Sequence, residues 1–80
     1  MLSIGDDNRR ITAYERDGNL AVDITAETYD KANQIGETIS EKLNGRVFRS
    51  IPREINGTFI VNITISDATE NIEHVLIESI

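Results

Sequence analysis

Cysteine and tryptophan are absent from these eighty residues, and proline, methionine and histidine occur once each. Without cysteine there is no disulfide, no thiolate nucleophile and no zinc-thiolate site. A single histidine, His74, cannot build an imidazole metal centre, and at helical spacing between Glu70 and Glu78 it reads as a solvated helix-face residue. No elbow motif surrounds Ser3, Ser40, Ser50, Ser66 or Ser79, so no serine-hydrolase triad can be argued. The glycines at 5, 18, 36, 45 and 57 stand singly and make no phosphate-cradling loop. The expectation is a non-enzymatic protein without cofactor or metal.

Basic residues are also scarce. Eight Lys and Arg face fourteen Asp and Glu, for a net charge of −6, which disfavours non-specific attraction to nucleic acid and to anionic membranes. The natural partner is a protein with a basic surface. No apolar run approaches the ~18–20 residues of a membrane span, and residues 1–7 lack the basic start and apolar middle of a signal peptide. A cytoplasmic protein is expected. Asn56-Gly57-Thr58 and Asn62-Ile63-Thr64 match the glycosylation sequon in form but read as a turn and a strand.

What is present is a motif used twice. Asp17-Gly18-Asn19-Leu20-Ala21-Val22-Asp23-Ile24-Thr25 is echoed thirty-nine positions later by Asn56-Gly57-Thr58-Phe59-Ile60-Val61-Asn62-Ile63-Thr64. Each copy opens on an Asx-Gly dipeptide, which suits the two positive-φ positions of a tight hairpin turn. Apolar residues then recur at every second position, the mark of a half-buried strand.

In chain order, residues 1–8 show no periodicity and are expected to form a flexible arm. Residues 9–16 alternate as a strand with Ile11 and Ala13 inward, and 19–25 return with Leu20, Val22 and Ile24 inward. Residues 26–43 change to helical spacing, with Thr25 as the expected N-cap, Glu27 and Asp30 in the first turn and Asn44-Gly45 as the stop. Gly36 in mid-helix is expected to let the helix lie close on the sheet. Residues 46–55 form a third strand whose facing conflicts: Val47, Ile51 and Ile55 share a parity with Arg49 and Arg53, while Phe48 takes the other. Pro52 marks it as an edge or bulged strand. Residues 58–65 return with Phe59, Val61, Ile63 and Ile65 inward, and Ser66, or Asp67 with Glu70 as a capping box, opens a second helix. A fifth strand over 75–80 is the alternative reading of the apolar C-terminal stretch.

The order ββαββα predicts one α+β domain over residues 1–80, a two-layer sandwich with a four-stranded, mainly antiparallel sheet and both helices on one face. A ferredoxin-like arrangement is the runner-up. A core this small supplies only ~3–5 kcal/mol, so self-association is the expected staple.

Acid concentrates on the helices and arginine on the strands: segment 44–65, with Arg46, Arg49 and Arg53 against Glu54, carries +2. Two candidate surfaces follow. The uncovered sheet face, with Tyr14, Phe48, Ile60, Arg10 and Arg16, is expected to be a homodimer interface. The helical side, with Glu37, Glu41, Asp67, Glu70, Glu73 and Glu78, is expected to bind a protein. Together these describe a small acidic protein-binding module. One alternative is an inhibitor of the anti-CRISPR or anti-restriction class, blocking a nucleic-acid-processing complex through the acidic helical face; phage-encoded inhibitors of defence nucleases have a similar composition. Another is a single-stranded nucleic-acid platform on the sheet, with Tyr14 and Phe48 stacking on bases beside Arg10, Arg16, Arg46 and Arg49.

Overall fold

The computed structural model describes residues 2–43, 46–66 and 72–79, the first two positions of the last helix by backbone alone. Its elements are β1 (Leu2–Gly5), β2 (Arg10–Arg16), β3 (Asn19–Ala26), α1 (Tyr29–Lys42), β4 (Arg46–Arg49), β5 (Arg53–Ile55), β6 (Thr58–Ser66) and α2 (Ile72–Ser79). The strands form one antiparallel sheet in the order β1-β2-β3-β6-β4, with β5 also paired to β6. Among the described residues the fold is α+β with two helices, but the sheet has six strands rather than four, and the order is βββαβββα.

The two extra strands have different origins. Residues 2–5 are no loose arm: Leu2 and Ile4 pair opposite Ala13 and Ile11 and pack on the core, so four residues suffice to add a strand that is too short to show its period in the sequence. Asp6 then turns the chain, its Oδ1 accepting from the backbone N–H of Asn8 at 2.9 Å and of Arg9 at 3.1 Å. Residues 46–55 are one strand broken into two. Ser50 donates its N–H to the carbonyl of Asn62 at 2.9 Å, whereas Arg53 pairs with Ile60, so Ile51 and Pro52 together stand opposite Val61. That is a β-bulge. It resolves the parity conflict, because Val47 and Arg49 lie on the helix side before it, and Arg53 and Ile55 on the opposite side after it.

Both hairpins turn as their sequences require. Asp17 and Gly18 have φ of 53° and 79°, and Asn56 and Gly57 have 52° and 81°. Strand β3 runs one residue further than expected, because fully buried Ala26 still pairs with Phe59. The helix is therefore capped by Thr28, not Thr25, with the Thr28 hydroxyl accepting from the N–H of Lys31 at 3.1 Å. Residues 75–79 are helical rather than a strand. The expected stop at Asn44-Gly45 and the caps at Asp67 and Glu70 lie outside the described residues.

One buried cluster joins Ile11, Val22, Ile24, Val61, Ile63 and Ile65 of the sheet to Ile35 and Ile39 of α1 and Val75 and Leu76 of α2. Because the helices share this cluster and touch each other, they lie on the same side of the sheet. Gly36 allows the approach: a Cβ there would stand 3.2 Å from Val61 Cγ1 and 3.4 Å from Arg49 Cδ.

Candidate functional site

Among the described residues no helix lies on the sheet's other side, and cross-strand pairing gives this open face a regular grid. Directly paired residues share a face, so Tyr14, Ala21, Thr64 and Phe48 make one row across β2, β3, β6 and β4. Ser3, Thr12, Asp23 and Asn62 make the next, and Arg10, Thr25, Ile60 and Arg53 the third. Arg10, Tyr14, Arg16, Phe48 and Ile60 thus share one face, as residue alternation implies.

The two copies of the sequence motif are the two central strands, and they pair with each other. Asp23 sits directly opposite Asn62, its own counterpart thirty-nine residues on. Pairing of Val22 with Ile63 and of Ile24 with Val61 obeys the same relation. A pseudo-two-fold axis therefore passes through the sheet between Asp23 and Asn62. The outer strands follow it: Tyr14 pairs with Ala21 as Arg53 pairs with Ile60.

A polar network lies on this axis. Asn62 Nδ2 donates to Asp23 Oδ1 at 2.7 Å, and Tyr14 Oη donates to Asp23 Oδ2 at 2.9 Å. Arg53, the counterpart of Tyr14, donates from Nη2 to Asn62 Oδ1 at 3.5 Å. The Asn62 N–H donates to Ser50 Oγ at 2.9 Å, which closes the network beside the bulge. The hydrogen bond to Asp23, reinforced by its charge, holds the Tyr14 hydroxyl protonated above the ordinary phenol range. A phenol so held is a donor rather than a nucleophile. The centre of the face is thus polar and satisfied within the chain.

Apolar exposure is found at the border. Phe48 is 71% exposed, Ile51 75% and Ile55 45%, all along the β4–β5 edge. The edge also carries Arg46, Arg49 and Arg53, each exposed. Arg49 does not join the open face; it turns to the helix side, where it lines an open hollow of about 300 Å³ with Glu37, Ser40 and Glu41. Among the described residues β4 and β5 pair only with β6, which leaves their outer side without a strand.

The acidic residues expected to act together are dispersed. Glu37 and Glu41 flank Arg49 in the hollow. Glu78 sits where the two helices meet, 3.4 Å from Lys42 Nζ and 3.1 Å from His74 Nε2. Asp67 and Glu70, and the side chain of Glu73, lie outside the described residues. Among the described residues no group of three or more His, Asp or Glu is placed to hold a metal ion, and no helix is long and apolar enough to cross a membrane.

Neither the bulge-borne patch nor the axial network was read from the sequence. The network had a signal: two copies of one motif, each folded as a strand, place Asp23 and Asn62 in the same slot. The patch had a partial one in the parity conflict around Pro52. No protein-family model matches the chain, and no curated protein or solved structure matches it. Fold and surface together define a class, a small α+β domain with an open polar sheet face bordered by an apolar, arginine-bearing edge.

Proposed function

We propose that this chain is a non-catalytic protein-binding module and that the β4–β5 edge, with the adjoining open face, is its binding surface. The observation that carries this reading is the exposure of Phe48 and Ile51 on one edge of so small a domain. Full burial of one such side chain stabilises by about 1.5–3 kcal/mol, so a partner that covers both has a ready source of affinity. Arginine beside a large apolar anchor is the composition of interface hot spots, and Arg46 and Arg53 supply it here. The acidic helical side has less to offer a partner, since Glu78 is already engaged by Lys42 and His74.

Affinity capture from native extract tests the proposal, comparing the wild-type chain with a Phe48→Asp/Ile51→Asp variant whose fold is verified by circular dichroism. A partner retained by the wild type and lost by the variant is expected. Equal capture by both would remove the edge from consideration.

A second reading, self-association across the open face, is favoured by the placement of Phe48 and Ile60 on the same side as Tyr14, Arg10 and Arg16. The hydrophilic centre of that face argues for a modest interface. Light scattering on a sizing column decides it: a monomer at tens of micromolar excludes the homodimer.

A further inference from the structure

The two edges of the sheet are not equivalent under the axis that relates its halves. On one edge β1 lies outside β2, pairing with Arg10 to Ala13. The axis carries Thr25 onto Thr64 and Ile24 onto Ile63, so the places of Arg10 and Ile11 are taken by Phe48 and Arg49. Carried across, the position of β1 falls beside Phe48 and the bulge, where no described strand lies.

That side of β4 is competent to pair. Because Ser50 directs its N–H at β6, alternation turns the N–H and C=O of Val47 and Arg49 outward. Natural edges are blunted by proline, bulges or charge, and this one has all three from Ile51 onward. Ahead of the bulge, however, it displays Phe48. The slot is open along β4 and closed at Pro52, which has no N–H to give.

We propose that β4 takes up an extended acidic segment of a partner protein as a seventh strand, antiparallel to it, on the edge that corresponds to the one β1 covers. This rests on the protein-binding reading above and names its partner. The chemistry of the segment follows from the open-face side chains it would meet: a carboxylate toward Arg46, and two positions along, on the same face, an apolar side chain toward Phe48. On the helix side of β4, Arg49 shares its hollow with Glu37 and Glu41, so the carboxylate of the segment belongs on the open face, toward Arg46. A second copy of this chain paired antiparallel to β4 about Phe48 would set Ser50 opposite Arg46 and Val47 opposite Arg49, so it would bring no carboxylate to either arginine.

The probe is an end-capped synthetic octapeptide with glutamate and valine in turn along one face and threonine at every intervening position, with three controls: lysine in place of glutamate, N-methylation at alternate residues, and an oligothymidylate of similar length. Amide exchange of the labelled protein is the readout. The acidic peptide is expected to protect the Val47 and Arg49 amides, the N-methylated one to give no protection, and the lysine peptide or the Arg46→Glu variant to weaken binding by about tenfold or more. Binding without protection at these amides overturns strand addition, as does occupation of the face by the oligonucleotide alone. Protection that grows with protein concentration in the absence of peptide assigns the slot to a second copy and also overturns it. Should capture depend on Phe48 and Ile51 while the peptide leaves both amides unprotected, the binding module stands and the seventh strand falls.

Discussion

The two halves of this chain share a hairpin, a register and an axis, yet only one of them is finished. In the first, β2 is continuous and is sheltered by β1. In the second, the equivalent strand is broken at Ile51 and Pro52, has no outer neighbour among the described residues, and leaves Phe48 and Ile51 in water. Residues facing the common core are held to one pattern because both halves must fill it. Residues on the outer rim are free to differ, and there the second half keeps a surface that the first has covered. The lesson is that internal symmetry makes the departures from it visible as candidate sites.

Breaking the shared core has the largest expected effect. Ile24→Ala and Ile63→Ala are counterparts at almost fully buried positions, and each should lose about 2–5 kcal/mol. Against a total of ~3–5 kcal/mol for a core of this size, urea unfolding followed by circular dichroism should find either variant largely unfolded at low denaturant. A variant that melts only one half would show that the halves are separate cooperative units.

The turns come next. Gly18→Ala and Gly57→Ala meet no steric obstacle but place a side chain at φ of 79° and 81°, which should cost about 1–2 kcal/mol each and to the same extent. Unequal losses would mean that the outer strand β1 supports its hairpin independently. Gly36→Ala isolates the helix approach. The gain in helix propensity of about 1 kcal/mol is opposed by the 3.2 Å approach to buried, β-branched Val61, which the sheet holds in place. Net destabilisation is expected, whereas a more stable variant would show that the helix can ride outward.

The axial pair sharpens the comparison with a smaller effect. Asp23→Asn makes the two central positions identical and removes the charge beside Tyr14. Spectrophotometric titration should then find the Tyr14 phenol ionising at lower pH than in the wild type. Since the folded state raises this group, the stability it contributes is present below the unfolded tyrosine value and lost as pH rises through the folded one.

The smallest effect lies at the turn into β2. Arg9 Nη2 is 2.8 Å from Glu27 Oε1, and the Arg9 side chain holds the Glu27 carboxyl below its usual value, while the N–H groups of Arg9 and Asn8 do the same for Asp6. Both carboxyls are lowered on folding, so their contribution is present above the unfolded carboxylate range and lost as pH falls through the folded values. Glu27→Gln should make acid unfolding slightly less steep, and an unchanged acid limb would exclude the pair from stability.

Much of this architecture was legible in the letters. Asp17-Gly18 and Asn56-Gly57 announce both turns, the alternation after them marks β3 and β6, and the spacing of Ala32, Ile35 and Ile39 marks α1. Strand β1 was missed because Leu2 and Ile4 alone cannot show a period. The cap at Thr28 was missed because two threonines lie three apart and only the ladder partner Phe59 decides how far β3 runs. Of the expected surface residues, alternation placed Tyr14 and Ile60 correctly on the open face, while Arg49, grouped in the sequence with the other strand arginines, turned out beside Glu37 and Glu41.

By itself the sequence determined the two turns, the two central strands with their core-facing sides, and α1, because turn chemistry and hydrophobic period act over a few neighbouring residues. Only the tertiary structure decided that the copies pair across an axis at Asp23 and Asn62, that the strand before Asn56 bulges, and which edge is left open. Those outcomes depend on which strand lies beside which and in what register, and register is set by the common core that both halves bury together.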